Sequence, residues 1–464
     1  MHLASRYPLH TLVAKVALTE FGRLNNYSLE ALIDFGLSIL IPFCLYLCAW
    51  QVVRHAPSDR KLLGLIFGFA ILFAATLVAM YPIGATDLFN YVFYSRILVH
   101  YGQNPLSVPP RVFNSDPFYS RVLWYNTPAP YGPLWVLLTI PGTLIAGDDL
   151  TLNLFLMNIL PAIFYLGCAV LILVILRQSE PKHMLTGTFL FAWNPLILFE
   201  APGNGHNGII MMFFVLVAVY LLLKRRWAWV LPALVASVLV KYISAILLAP
   251  FLIYCLSKQE GVENKIRFLF KTLALSAILS ALVMARFVSM PTGLADEANW
   301  FSLLAVPTLG LNLLNAVLGE RGANTLVLIL CSSAYLLLYV TSLRLSTYRD
   351  HVHNLVLLST WLTMTYLIIA CVAFQPWFII WSIALGIWVN HVVLRRVLLV
   401  FTISGLMSYA ASFFWVWNWN HWQRIHANAM FVAVIFLPPL FVWLGSLLGS
   451  LWTMRPNRAI LFSR

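Results

Sequence analysis

Residues 81–133 read YPIGATDLFNYVFYSRILVHYGQNPLSVPPRVFNSDPFYSRVLWYNTPAPYGP, and the fold turns on this stretch. Apolar runs long enough to cross a bilayer stand before it, at 62–83, and after it, at 151–176. The stretch itself is polar, aromatic and rich in proline, and it carries Asp87, Arg96, Arg111, Asp116 and Arg121. Joining two membrane helices takes only a few residues. A loop of about fifty residues, with a carboxylate just past a helix end, is instead the material of a working site.

The rest of the chain fits a membrane setting. Hydrophobic residues make up 61% of its 464 residues and charged residues only 10%, and mean hydropathy is +0.85. Soluble domains average about 45–50% apolar residues. Such a chain cannot cover itself with polar surface, so the composition predicts an all-α polytopic membrane protein. The net charge of +13 does not signal nucleic acid. Its Lys and Arg sit in short clusters between apolar runs, as the positive-inside rule expects, and no nucleic-acid partner is expected. All six cysteines fall inside apolar runs and none forms a CxxC, which reads as buried thiols rather than disulfides or zinc ligands. No basic flank leads directly into a short apolar core with an A-x-A-like site, so no cleaved signal peptide is expected.

Thirteen spans are expected, at 35–53, 62–83, 151–176, 184–199, 207–223, 227–241, 242–257, 268–290, 324–344, 354–374, 376–394, 396–416 and 428–452. Two proline-interrupted pieces, 131–146 and 301–317, read as interfacial or re-entrant, and 8–23 as a short interfacial helix. Basic clusters at Arg54/Arg60/Lys61, Arg177/Lys182, Lys224/Arg225/Arg226, Lys258/Lys265/Arg267/Lys271, Arg344/Arg349, Arg395/Arg396 and Arg455/Arg458 belong in the cytoplasm. The segments 84–150, 199–206, 291–323 and 417–427, and residue 375, then lie outside, provided 131–146 does not cross. The N-terminal residues also fall outside in this solution, despite Arg6, Lys15 and Arg23. Three sections follow: 1–61 with an extra span, 62–257 with the outer loop 84–150, and the C-terminal spans of 258–464. No internal repeat and no soluble domain is visible, so function must be built from outer loops and helix ends.

Five places carry candidate chemistry. Asp87 follows the second span and opens a helix over 88–101, whose aromatic, half-polar character suits the membrane interface. Asp is a favoured helix cap, but Thr86 can take that role and leave the carboxylate free. Asn104-Pro105 and Tyr131-Gly132-Pro133 are turn chemistry or ligands. In WNPLILFEAPGNGHN (193–207), Asn194-Pro195 breaks an apolar segment, and Glu200, Asn204, His206 and Asn207 gather at one end. The alternative is a tight loop with solvated polar groups. Lys241 stands in an apolar run, where an ammonium is costly; it either snorkels or meets a phosphate. Gln375 and Trp377, in FQPWFIIW, are belt residues or a platform for a sugar ring.

In this order, these pieces resemble one family. Asp87 with FNYVFYSRI and GQNPL, then YGPLW, WNPLILFEAPGNGHN, VKYISAILLAP and FQPWFIIW look like the integral-membrane glycosyltransferases of the GT-C superfamily. Within it they are most similar to the polyprenol-phosphate-mannose-dependent mannosyltransferases. The resemblance runs from about Tyr81 to Trp381. Two positions depart from the family pattern: Gly208 follows His206-Asn207 where many relatives have an acid, and Phe378 follows Trp377 where many have tyrosine.

The resemblance implies a GT-C-like helical bundle of about 13 transmembrane helices, with interfacial helices in the large first outer loop. It implies that a hexose, mannose being the expected one, moves from a polyprenyl-phosphate donor to an acceptor hydroxyl on a glycan, lipid or protein at the extracytoplasmic face. Asp87 would be the general base of an inverting displacement. Lys241, His206 and Arg96 would meet the donor phosphate. Asn104, Tyr131, Glu200, Asn204, Asn207, Gln375 and Trp377 would contact substrate. No cofactor and no metal ligand is assigned, and a divalent cation stays open. The rival reading is a membrane transporter or a flippase for a lipid-linked sugar. That class favours inverted repeats and ionisable residues at the bilayer midplane.

Overall fold

The computed structural model describes residues 2–15, 21–57, 59–84, 86–287, 293, 300–344, 349 and 351–453. Among these, helices make up the architecture and the one extended pairing is an isolated bridge between Pro8 and Met80. Among the described residues, eight helices are long and apolar enough to cross a membrane: Leu29–Val53, Arg60–Val78, Leu150–Ser179, Gly261–Met284, Pro307–Arg344, Val352–Ile369, Val392–Trp417 and Arg424–Leu448. Pro181–Ala192 and Pro195–Gly203 add a ninth if their pair, bent by 45°, is one span. The chain is an all-α polytopic membrane protein, as its composition predicts.

The thirteen expected spans are not thirteen long helices. Gly208–Leu223, Trp227–Val240, Tyr242–Ser257 and Pro376–Gly386 are apolar but only 10–17 residues long. At about 1.5 Å per residue, such a helix falls short of a ~30 Å hydrocarbon core. The expected 376–394 span stops at Gly386, and the next helix starts at Val392. Within the piece 301–317, a helix begins at Pro307 and meets the following span at a break at Gly319 (φ 66°, ψ 168°). The end of the expected 268–290 span, residues 294–299 of the following outer segment, and Arg455/Arg458 lie outside the described residues.

The bundle has two chemically different ends. At one, Arg54 and Arg395 both lie over the Trp50 ring, and His353 pairs with Glu180 at 2.8 Å. At the other, the N-terminal segment is tied to the chain entering the long loop: Leu9 donates to the Ala79 carbonyl, Tyr81 to Tyr7 and Phe21 to Ile83. In place of one helix over 8–23, Leu9–Lys15 and Phe21–Leu24 are separate pieces, with 16–20 outside the described residues. Trp417 donates to the Tyr27 carbonyl at this same end.

The helix Asp87–Val99 is the largest departure from expectation. Its aromatic residues suggest an amphipathic interfacial helix, yet Leu88 through Ile97 are all buried. The irregular segment that follows folds back over it. Tyr94 donates to the Thr127 carbonyl, and the Asn90 amide oxygen accepts from the backbone of Leu123 and Trp124. The helix Pro133–Ala146 runs alongside, with Tyr91 against Trp135 and Ser95 bonded to Thr143. Both helices start near the cavity described below and end where Arg96 reaches the Gly147 carbonyl. The Leu150–Ser179 helix begins there and comes level with the end of the second span at Asn158, whose amide donates to Val78. Pro133–Ala146 therefore stays at the N-terminal end of the molecule and does not run to the basic end.

Candidate active site

At this end a cavity of about 430 Å³ opens among Asp87, Asn90, Tyr131, Lys241, Trp377 and Tyr409, with Trp124 and Trp300 also on its wall. Asp87 is the first residue of its helix, and its carboxylate is 16% exposed. Thr86 does not cap this helix, contrary to expectation: its side chain makes no cap hydrogen bond. The Asp87 carboxylate thus sits at an uncapped helix N-terminus, where the peptide dipoles favour an anion. Asn90 lies one turn along on the same face, and its amide nitrogen is buried with no hydrogen-bond partner among the described residues. An orphan donor on the cavity wall, one turn from a carboxylate, suits a sugar hydroxyl.

The second cluster is built by a broken helix. Asn194 caps the short helix Pro195–Leu198, its oxygen accepting from the backbone of Leu196 and Ile197, and its amide donates to Thr402. The next turn, Phe199–Gly203, is a π-turn, a feature frequent at functional sites. It turns Glu200 inward, fully buried. Asn204 donates to Glu200 Oε2 at 3.1 Å and accepts from the Gly84 backbone at 2.9 Å, which locks the 200–206 turn to the chain just before Asp87. Gly205 has φ +73°, and a Cβ there would stand 2.3 Å from Leu88 and 2.6 Å from Asn158, so glycine alone fits. His206 follows. Its Nδ1 lies 3.1 Å from the Glu200 carbonyl and 3.2 Å from Glu200 Oε2, and its Nε2 lies 4.0 Å from Asp87 Oδ2. Its ring stacks on Trp377 with centroids 4.0 Å apart.

Lys241 stands in an extended residue (φ −151°, ψ 119°) between Trp227–Val240 and the turn that follows. It is buried, and its Nζ lies 4.4 Å from the Phe378 ring centroid, 5.3 Å from Trp381 and 5.6 Å from Tyr131. Three ring faces hold the ammonium at the cavity wall by cation–π attraction; it does not snorkel outward. Gly132 is what lets this hairpin meet the first loop. Its N–H bonds the Val240 carbonyl at 3.0 Å, and a Cβ there would lie 2.0 Å from the Leu239 carbonyl oxygen.

Residues 15–258 match the family model described as "Alpha-(1->6)-mannopyranosyltransferase, N-terminal domain". The chain belongs to this family. Among curated proteins it is similar to Alpha-(1->6)-mannopyranosyltransferase A of Mycobacterium tuberculosis, 25% identical over 263 residues, covering 53% of this chain and 49% of that protein. It is 28% identical over 208 residues to Alpha-(1->6)-mannopyranosyltransferase A of Corynebacterium glutamicum, covering 44% of this chain and 41% of that protein. To Alpha-(1->6)-mannopyranosyltransferase B of the same organism it is 22% identical over 400 residues, covering 78% of this chain and 63% of that protein. The chain spans about half the length of the curated relatives it matches.

Asp87, Glu200, His206 and Lys241 all lie within the part matched to the mannopyranosyltransferase family, while Gln375, Trp377 and Tyr409 lie beyond it. The cavity brings Asp87, Tyr131, Lys241, Gln375 and Trp377 together. Glu200, Asn204 and His206 back it from behind. Three residues assigned from sequence are elsewhere. The Arg96 guanidinium is buried away from the cavity, bonded to Asp116 at 2.9 Å and Asp148 at 2.9 Å and packed over Phe118. There it ties the covering segment to the Asp87–Val99 helix and does not line the cavity. The Asn104 oxygen closes a turn onto the Leu106 backbone, and Asn207 is buried beneath the next helix start. Among the described residues no group of three or more His, Cys, Asp or Glu is arranged to hold a metal ion. Asp87 and Glu200 lie off opposite nitrogens of His206.

Tyr409, Trp124, Trp300 and Asn90 are cavity residues that sequence reading missed. Asn90 had a signal, its spacing of one helical turn from Asp87. Tyr409 had none. It sits in an apolar span where lipid-facing and cavity-facing positions look alike.

Proposed function

We propose that the protein transfers a mannosyl residue from a polyprenyl-phosphate donor to an acceptor hydroxyl on a glycan, with inversion at the anomeric carbon. One observation carries this reading. A carboxylate, Asp87, and a buried ammonium, Lys241, line the same cavity with Trp and Tyr side chains, in a chain of the alpha-(1->6)-mannopyranosyltransferase family. Asp87 takes the proton of the acceptor hydroxyl as its oxygen bonds to C1 of the sugar. The bond from C1 to the phosphate oxygen breaks, and the electron pair leaves on the phosphate. A phosphate leaves without protonation, so the second carboxylic acid of most glycosidases has no counterpart here. Its charge is met by Lys241 instead. Aromatic faces at Trp124, Trp300 and Trp377 offer stacking surfaces for pyranose rings.

Charge supports an extracytoplasmic active site. The cavity lies at the end opposite Arg54 and Arg395, and basic connections stay in the cytoplasm. The lipid donor is then drawn from the bilayer, and the acceptor enters from outside. The test is transfer by purified protein in proteoliposomes, supplied with radiolabelled polyprenyl-phosphate mannose and a mannoside acceptor. This reading predicts labelled product and released polyprenyl phosphate in equal amounts. A flippase would instead move the intact labelled lipid between leaflets, and that result would overturn the proposal.

A further inference from the structure

We propose that Glu200 is a positioning residue that acts through His206, making His206 the proton acceptor for Asp87 during turnover. The proposal rests on the general-base reading of Asp87 and extends it.

Three donors converge on Glu200. Tyr409 O–H reaches Oε1 at 2.8 Å, Asn204 reaches Oε2 at 3.1 Å, and His206 Nδ1 lies 3.2 Å from Oε2. The groups that face His206 Nδ1 are the Glu200 carboxylate and the Glu200 carbonyl, and both only accept. Nδ1 therefore carries the proton. When one ring nitrogen is fixed as donor, the neutral imidazole presents a lone pair on the other. That other nitrogen, Nε2, is buried without a hydrogen-bond partner among the described residues, and Asp87 Oδ2 stands 4.0 Å away. Trp377 stacked on the ring holds it in this plane. The gap to Asp87 is longer than a hydrogen bond, but such contacts are often long in unliganded sites and tighten when substrate binds.

The proton then has a defined route. It leaves the acceptor hydroxyl for Asp87 as the new C1–O bond forms and the bond to phosphate breaks. From Asp87 it passes to His206 Nε2, which restores the Asp87 carboxylate and leaves an imidazolium between two carboxylates. Glu200 supplies the second negative charge that stabilises this cation. When products depart, the proton returns to Asp87 and leaves through the open cavity.

A packing role and a charge role make opposite predictions for two substitutions. Glu200→Gln keeps the volume and every hydrogen bond, because its amide can donate to the Tyr409 oxygen; it loses only the charge. Glu200→Asp keeps the charge but shortens the side chain. The proposal expects kcat to fall on the order of 10²-fold in Glu200→Gln, with donor KM near the parent value. It expects Glu200→Asp to retain more activity than Glu200→Gln. The reverse order, with Glu200→Gln near parent, would overturn it. If Glu200→Asp does not fold, a double-mutant cycle decides. His206→Asn keeps a donor toward Glu200 and removes Nε2. The double variant should be no slower than His206→Asn alone, since both substitutions break one relay. Losses that multiply would contradict the relay. Near-parent transfer in Asp87→Asn would fault the general-base reading instead, so the two failures are distinguishable.

Discussion

Replacing Lys241 with methionine separates donor binding from every other part of the account. Lys241 is 7% exposed, and its ammonium lies within 5.6 Å of three ring centroids. Methionine retains the chain length and makes favourable sulfur contacts with the same rings, so the hairpin at 240–242 should keep its packing. What disappears is the positive charge. A hydrogen bond to a charged group contributes roughly 1.5–3 kcal/mol, equivalent to about 10- to 150-fold in kcat/KM. The loss should appear in kcat/KM for the lipid-linked donor, while acceptor KM at saturating donor should stay close to parent. The assay is steady-state transfer in detergent with each substrate varied in turn, alongside thermal unfolding to confirm the fold. Unchanged donor kinetics in a folded Lys241→Met protein would refute the assignment. A loss confined to the acceptor would refute it equally.

Other expectations test the scaffold around the cavity. Arg96→Met removes one partner of a buried ion pair and strands Asp116, so it should cost about 3–5 kcal/mol of stability and lower the thermal midpoint; a stable variant with a donor-specific defect would restore the phosphate role. Gly132→Ala places a Cβ against the Leu239 carbonyl oxygen and should separate the first loop from the Lys241 hairpin, giving low activity with lost donor response; parent-like transfer would show that the close approach is dispensable. In a cysteine-free background, single cysteines at Ser115 and Asp149 should both react with an impermeant reagent from outside. Loss of the Asp149 cap costs only about 1 kcal/mol, and labelling of Asp149→Cys from the cytoplasm alone would mean that Pro133–Ala146 crosses.

How much of this was legible in the sequence follows from what hydropathy encodes. The membrane class is fixed by composition, because a chain with 10% charged residues has too little polar surface to be soluble. Asp87 stands out as the first acid after the second span. Asn194-Pro195 announces a broken helix, and the structure bends there by 45°. Burial on both faces is not legible. The Asp87–Val99 helix reads as interfacial because its aromatic residues and Arg96 suit a water–lipid boundary. Only the fold of the covering segment, pinned through Asp116, Thr127 and Asn90, puts that helix inside protein. The same limit hid Tyr409, which reaches Glu200 across 209 positions of sequence. Sequence alone allows two readings of Lys241, because the rings of Phe378 and Trp381 that enclose it lie far along the chain. Helix lengths were overestimated where apolar runs contain turns, as after Gly386.

The central claim is that Asp87 takes the acceptor proton, and Asp87→Asn tests it most directly. Asparagine matches aspartate in size and gives up only the interaction of a charge with the helix N-terminus, about 0.3–1 kcal/mol, so the helix start and the cavity should persist. It cannot accept the proton, and losing a general base typically costs about 10²–10⁴-fold in rate. The measurement is single-turnover mannosyl transfer from a labelled polyprenyl-phosphate donor, paired with donor binding to the same preparation. The account predicts parent-like donor binding and a transfer rate at or below about one hundredth of the parent. Near-parent transfer by Asp87→Asn would contradict it, and the base would then have to be sought at another carboxylate.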